Sequence, residues 1–293
     1  MGTSSAFGGA GGGTPLVPSW VDGGGAAPAT PASTPAAPTA PAPAPVQTPA
    51  APAARPAPTA APGGARRFSD ARRNFSSFTG SGGSDRRSLG RAVSQYVSRS
   101  SGGAGNAARK MGSSRASAAR LAGFLGDVRR GGLVQALRSL DLGALAGQPI
   151  ERVFADLADY ICPEGGSIDE GIAREAFIET VAELASAGIH DLDTLTPAQT
   201  QTVFELYAAH TIEARICNDI GTKMVTLPTS AAAAERVQAQ LHDFILRGVS
   251  DALATIGTDI GTLTPDRVND FVGGVYQSAF EVLEALGEAE AER

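Results

Sequence analysis

The chain has 293 residues, of which 24 are Lys or Arg and 30 are Asp or Glu, so its formal net charge is −6. No stretch approaches the roughly 18 consecutive apolar residues that a membrane helix needs, and no apolar segment follows Met1 as a secretory signal requires. We therefore expect a soluble, cytoplasmic protein. The two cysteines form no Cys-x-x-Cys pair or Cys/His cluster, which argues against a zinc site.

Proline and charge divide the sequence into distinct blocks. Fourteen of the 19 prolines lie within residues 1–66, which contain three charged residues. Residues 67–138 carry a net charge of +11, and residues 139–293 carry a net charge of −18. On this basis we predict four parts. They are a flexible Gly-rich tail (1–25), an Ala/Pro spacer (26–65), a basic Arg/Ser/Gly-rich segment with helices (66–131) and an acidic α-helical domain (132–293).

Signatures of common catalytic sites are missing from the sequence. Neither lysine follows the GxxxxG spacing of a phosphate-binding loop, and neither GxSxG nor HExxH occurs. We therefore predict that the protein is not an enzyme and that it uses no cofactor.

The N-terminal tail contains a short apolar segment, Leu16-Val17-Pro18-Ser19-Trp20, which holds the only tryptophan of the chain. An apolar group flanked by proline is typical of a docking peptide. The segment could instead be an ordinary part of a disordered tail, or it could fold back onto the body. The spacer behind it favours an extended conformation, and roughly 37 residues at ~3.1 Å each could reach on the order of 100 Å.

The second residue of the tail is also of interest. A small residue such as Gly2 allows removal of the initiator methionine, which would expose an unhindered amine. Myristoylation is disfavoured, because position 6 is Ala6 rather than Ser or Thr.

Arginine pairs interleaved with phenylalanines open the basic segment. The arginines are Arg66, Arg67, Arg72, Arg73, Arg86 and Arg87. Positively charged side chains interleaved with aromatic rings are found on nucleic-acid-binding segments, and they also suit an acidic partner protein. A third alternative is internal, because a basic segment is attracted electrostatically to an acidic domain in the same chain.

Apolar residues recur with helical spacing through the rest of the chain, and β-type alternation is absent. We predict an all-α helical bundle preceded by a long disordered Gly/Ala/Pro-rich N-terminal tail. Predicted helices include one from Ser88, one over Asn106–Val128, one over Ile150–Ile161, one capped by Ser167 and one over Ser230–Ile256. Thr196-Pro197 and Thr264-Pro265 are predicted to start two further helices, each with a threonine cap.

Two histidines lie on predicted helices beside acidic residues. His210 precedes Glu213 by one turn, and His242 is followed by Asp243 on the next helix. A metal site or an acid/base pair between the helices is geometrically possible. Di-iron bundles, however, use Glu-x-x-His on two helices, and this order is absent here. We therefore predict a core histidine bonded to a carboxylate, and no metal site.

Several segments of the chain together resemble a known bacterial family. They are the Met1–Ser5 start, Thr14–Trp20, the Ala/Pro spacer, Arg67–Phe78, Cys162–Glu170, Asp219–Thr222 and Gln240–Phe244. In these segments the chain is similar to the QatB family of the bacterial Qat anti-phage defence operon.

The resemblance implies a non-enzymatic component of a four-gene system. The implied partners are an ATPase, a QueC-like enzyme and a TatD-like nuclease. It further implies that the tail from Gly2 docks into the QueC-like partner and is modified there, with Leu16, Val17, Pro18 and Trp20 as the docking residues. The alternative function is a nucleic-acid-binding adaptor that uses the arginines of the basic segment.

Overall fold

The computed structural model describes residues 67–163, 165–189, 192, 194–221 and 228–293. The predictions for the tail, the spacer and Arg66 concern residues outside these ranges.

The described residues confirm the all-α prediction, since they form ten α-helices and no β-strand. These are α1 (Ser69–Gly80), α2 (Arg86–Gln95), α3 (Ala104–Lys110), α4 (Gly112–Gly131), α5 (Leu133–Ser139), α6 (Ile150–Ile161), α7 (Ile168–Ser186), α8 (Pro197–Ile220), α9 (Ala231–Ile256) and α10 (Pro265–Glu292). A π-helical turn, Tyr96–Ser101, continues α2, and two 3-10 turns span Gly143–Leu145 and Ile260–Thr262.

Among the described residues, no helix combines the length and the apolar character that crossing a bilayer requires.

The helix starts follow the predicted capping chemistry at Ser167 and Thr196, and Ser230 is a further cap that was not predicted. Ser167 and Thr196 each form a capping box with the third residue of the helix that follows, and Ser230 accepts a hydrogen bond from the backbone of α9. Thr264 differs from the prediction, because its side chain makes no cap hydrogen bond. The third helical residue there is Arg267, which has no acceptor to complete a capping box.

The predicted helix over Asn106–Val128 is wrong as a single helix. It is two helices, α3 and α4, which meet at Met111 and Gly112. Gly112 has φ +22°, which a helix interior does not tolerate, so the chain turns there.

The longest helix, α10, packs against α2, α3, α4 and α9. Its crossing with α2 is a close one, because two glycines face each other there. A Cβ atom built on Gly90 would lie 2.6 Å from the carbonyl oxygen of Gly287, and one built on Gly287 would lie 2.6 Å from that of Gly90. The absence of both side chains therefore permits the close approach of the two backbones.

The basic and acidic parts of the chain share one hydrophobic core. Phe78, Leu89 and Tyr96 from the basic segment belong to the same buried cluster as Phe204 and Phe280 from the acidic part. The described residues 67–293 are thus one compact unit in which the helices of the basic segment are integral.

Candidate functional site

The docking residues predicted in the tail, which are Gly2, Leu16, Val17, Pro18 and Trp20, lie outside the described residues, as does Arg66. The other five predicted arginines are in the described part. They fall into one group at the start of α1 and another at the start of α2.

Arg72 of α1 borders the C-terminal end of α8, and Arg67 lies just before α1. The guanidinium groups of Arg67 and Arg72 lie 5.4 Å and 5.5 Å from the ring centre of Phe68. Arg72 also donates hydrogen bonds to the carbonyl oxygens of Ile220 (2.5 Å) and Asp219 (3.2 Å). A cation at this end of α8 is favoured by the helix dipole, so Arg72 works as an internal cap.

Arg73, Arg86 and Arg87 are more exposed than Arg72. Arg73 lies 3.8 Å from Asp70 with 78% of its side chain exposed. Arg86 pairs with Glu290 of α10 at 3.2 Å, and Arg87 is exposed. Among the predicted arginines of the described part, Arg67, Arg73, Arg86 and Arg87 are exposed and Arg72 is half-buried.

The structure separates the two arginine groups rather than joining them. Asp70 of α1 pairs with Arg99, and Asn74 bonds to Gln95, so the start of α1 lies beside the end of α2. Because α1 has 12 residues, the start of α2 lies at the far end of a hairpin roughly 18 Å long. The five predicted arginines of the described part therefore do not form a single basic patch.

Arginines of the basic segment instead bind backbone carbonyl groups of the acidic part. The pairs are Arg72 with Asp219 and Ile220, Arg120 with Ile161, Arg129 with Leu195, and Arg130 with Leu263. Ile161 and Ile220 are the last residues of α6 and α8. These contacts are those expected of the internal alternative, in which the basic segment serves the acidic part of its own chain.

A polar network links the π-helical turn that follows α2 to α7 and α8. The hydroxyl of Tyr96 donates to Asp219 at 2.9 Å, and Arg215 donates to Asp219 at 3.2 Å and to Asp169. Burial, and next the negative charge of Asp219, raises the pKa of the Tyr96 hydroxyl, which stays protonated and donating. The network satisfies buried polar groups and ties the basic segment to the acidic helices.

A second cluster joins α7, α8 and α9 through two histidines. Nε2 of His210 lies 2.8 Å from Oε2 of Glu183, and Nδ1 of His242 lies 2.9 Å from Oε2 of Glu213. The two imidazole ring centres are 4.6 Å apart. The hydrogen bond to Glu213 raises the pKa of His242 despite its partial burial.

The histidine–carboxylate bonds agree with the sequence interpretation, but the partners differ from the neighbours in sequence. His210 bonds to Glu183 rather than to Glu213, and the carboxylates close to His242 are Glu213 and Glu183. Glu183 was missed because it precedes His210 by 27 residues, and only the packing of α7 on α8 brings the two together.

The fold and these clusters define an all-α protein in which charged side chains join one helix to another. A family model described as "Qat anti-phage system associated protein QatB" matches residues 102–283, more than half of the chain. The chain belongs to this family and is therefore a component of Qat anti-phage defence. Neither the curated proteins nor the solved structures include a significant match.

The matched region includes the histidine cluster and most of the acidic helices. Residues 1–101, with the tail and the helices α1 and α2, lie outside it.

Proposed function

We propose that the protein is a non-enzymatic, cytoplasmic interaction component of a Qat-like defence operon. In this proposal its helical body binds partner proteins, and its N-terminal tail docks into the QueC-like partner enzyme and is modified there. The ATPase and the TatD-like nuclease of the same operon are further proposed partners. The family membership supports the part of this proposal that assigns the protein to Qat anti-phage defence.

The observation that carries the proposal is the internal use of the basic segment. Arg72, Arg120, Arg129 and Arg130 bond to carbonyl groups of the same chain, and Arg86 pairs with Glu290. The basic segment, which lies between the tail and the acidic part, is thus built into the folded body. In this proposal, partner binding is therefore assigned to the tail rather than to the basic segment.

The first described residues, Arg67 and Phe68, are held against the helical body. The hydroxyl of Ser100 donates a 2.8 Å hydrogen bond to the carbonyl oxygen of Arg67, and the ring of Phe68 lies 6.1 Å from that of Tyr96. The described fold therefore begins at a residue that is fixed to the body. A spacer of Ala/Pro composition then lets the terminus reach a pocket on a separate protein.

The chemistry of the tail suits an enzyme with a deep pocket. Removal of Met1 would leave Gly2 with a free amine and no side chain, which can enter a narrow site at low steric cost. The apolar residues Leu16, Val17 and Trp20 can supply docking energy, because burial of large apolar side chains is the main source of peptide affinity.

The modification can be tested by mass spectrometry of the intact protein after co-expression with its operon. We expect an added mass on the N-terminal peptide when the QueC-like gene is present and none when that gene is deleted. Gly2→Leu should abolish the addition, because a second residue as large as leucine retains Met1, whereas the matched control Gly9→Leu should keep it. Loss of Met1 with no added mass in the complete operon would refute modification.

The second candidate function is nucleic-acid binding through Arg66–Arg91. The exposure of Arg73 and Arg87 favours it, and the separation of the two arginine groups weighs against it. If phosphate contacts carried the binding, affinity for duplex DNA would fall steeply with salt, and Arg73→Gln or Arg87→Gln would each reduce the slope by about 1. We expect weak binding, with a slope that neither substitution changes.

A further inference from the structure

Although the sequence alone predicts no metal site, the histidine cluster has a composition and spacing that could hold a metal ion. Glu183, His210 and His242 each offer one ligand atom, and these three atoms lie within 4.8 Å of one another. Around a tetrahedral zinc ion, with bonds of about 2.0–2.1 Å, ligand atoms stand roughly 3.3 Å apart. The observed separations from Oε2 of Glu183 are 2.8 Å to Nε2 of His210 and 3.5 Å to Nε2 of His242. Small side-chain rotations would therefore bring the three atoms onto one ion.

One nitrogen in the cluster lacks a partner. Nε2 of His242 is buried and has no hydrogen-bond partner among the described residues. Glu213 accepts a hydrogen bond from Nδ1 of the same ring, which places the proton of the neutral imidazole on Nδ1. In this neutral form, Nε2 presents a lone pair 3.5 Å from Oε2 of Glu183, so that a proton or a metal ion between the two atoms is favoured.

The role of Glu213 matches that of an outer-shell carboxylate. Histidine ligands usually donate their second ring proton to a carboxylate or a carbonyl, which fixes the ring and increases its basicity. Both histidines and Glu213 are largely buried, with 13% to 15% of their side chains exposed, whereas Glu183 is 38% exposed. The ion would thus be held from inside the bundle and reached from the solvent side past Glu183.

We propose that Glu183, His210 and His242 bind a zinc ion through Oε2 and the two Nε2 atoms, with Glu213 orienting His242. Two imidazoles and one carboxylate are a donor set that zinc favours. The three ligands come from α7, α8 and α9, so the ion would link three helices. A fourth coordination position remains open on the exposed side for water or a further ligand. This proposal does not depend on the function proposed for the tail.

The test uses the full chain, purified without a polyhistidine tag and treated with a chelator. Isothermal titration with zinc chloride should give one ion per chain, and Co²⁺ should produce the visible absorption bands of tetrahedral coordination. Zinc should also raise the melting temperature, since the three ligands come together only in the folded state.

Variants separate the site from nonspecific binding. Glu183→Gln and His210→Gln should remove the stoichiometric zinc and the cobalt bands, and Glu213→Gln should weaken binding by about 10-fold. The control Glu288→Gln makes the same charge change at an exposed position of α10 and should bind zinc as the unaltered chain does. Far-UV circular dichroism checks that each variant is folded. Absence of stoichiometric zinc in the unaltered chain, or its retention in folded Glu183→Gln, would overturn the proposal.

Discussion

The glycine crossing of α2 and α10 gives a sharp test of how the basic segment joins the body. In Gly287→Ala, the new Cβ would lie 2.6 Å from the carbonyl oxygen of Gly90 and 3.0 Å from both N and Cβ of Ser94. Two of these three atoms belong to the backbone of α2, so a change of side-chain rotamer cannot relieve the overlap. The two helices must move apart by several tenths of an ångström.

The magnitude follows from two opposing effects. Overpacking of a tight contact costs roughly 1–3 kcal/mol, and replacing a helical glycine by alanine gains up to about 1 kcal/mol. We therefore expect Gly287→Ala to lower the free energy of unfolding by about 1–2 kcal/mol. The control Gly274→Ala lies on the same helix at an exposed position, where a Cβ would meet no atom within 4 Å. It should raise stability by up to about 1 kcal/mol.

Urea denaturation followed by circular dichroism measures both variants. A shift of the midpoint without a change in slope would show that stability, rather than the extent of unfolding, had changed. If Gly287→Ala stabilised the protein as much as Gly274→Ala, the two backbones would not be in contact and the basic segment would not be integral to the core as described.

Two further predictions follow from the polar contacts and the cysteines. Arg72→Ala should lower the free energy of unfolding by about 1–2 kcal/mol in urea denaturation, because it removes charge-assisted bonds to the end of α8. The control Arg73→Ala, at an exposed neighbour, should lower it by less than about 0.5 kcal/mol. Equal losses in the two variants would refute the capping role of Arg72. Burial raises the pKa of Cys217 to about 12, and burial also raises that of Cys162, so both thiols are protonated at about pH 8. Iodoacetamide should label them slowly in the folded protein and quickly in urea, and rapid labelling of the folded protein would contradict the burial.

The helices themselves were largely predictable, because their signals are local. The capping boxes at Ser167 and Thr196 depend on residues three positions apart, and the apolar stripe of α6 depends on spacings of three and four. The break at Gly112 was missed because the apolar spacing continues through it. A glycine inside a helical pattern can be tolerated or can end the helix, and tertiary packing decides which.

The contacts between distant parts of the chain were beyond local patterns. Arg72 and Ile220 are 148 residues apart, and the charge imbalance predicted only that the basic and acidic parts attract. The histidine cluster shows the same limit. His210 and His242 were identified as candidates, but the position of Glu183 depends on how α7 packs against the helices that carry them.

The central claim is that the tail carries the interaction with the QueC-like partner. It is tested most directly by a pull-down of the operon proteins with the full chain and with a chain lacking residues 1–25. A control lacking 25 residues of the spacer, 30–54, removes the same length and keeps the terminus and the docking residues. We predict that the QueC-like partner is lost with the first deletion and retained with the second. Retention of the partner by the chain lacking residues 1–25 would contradict the account and assign the interface to the helical body.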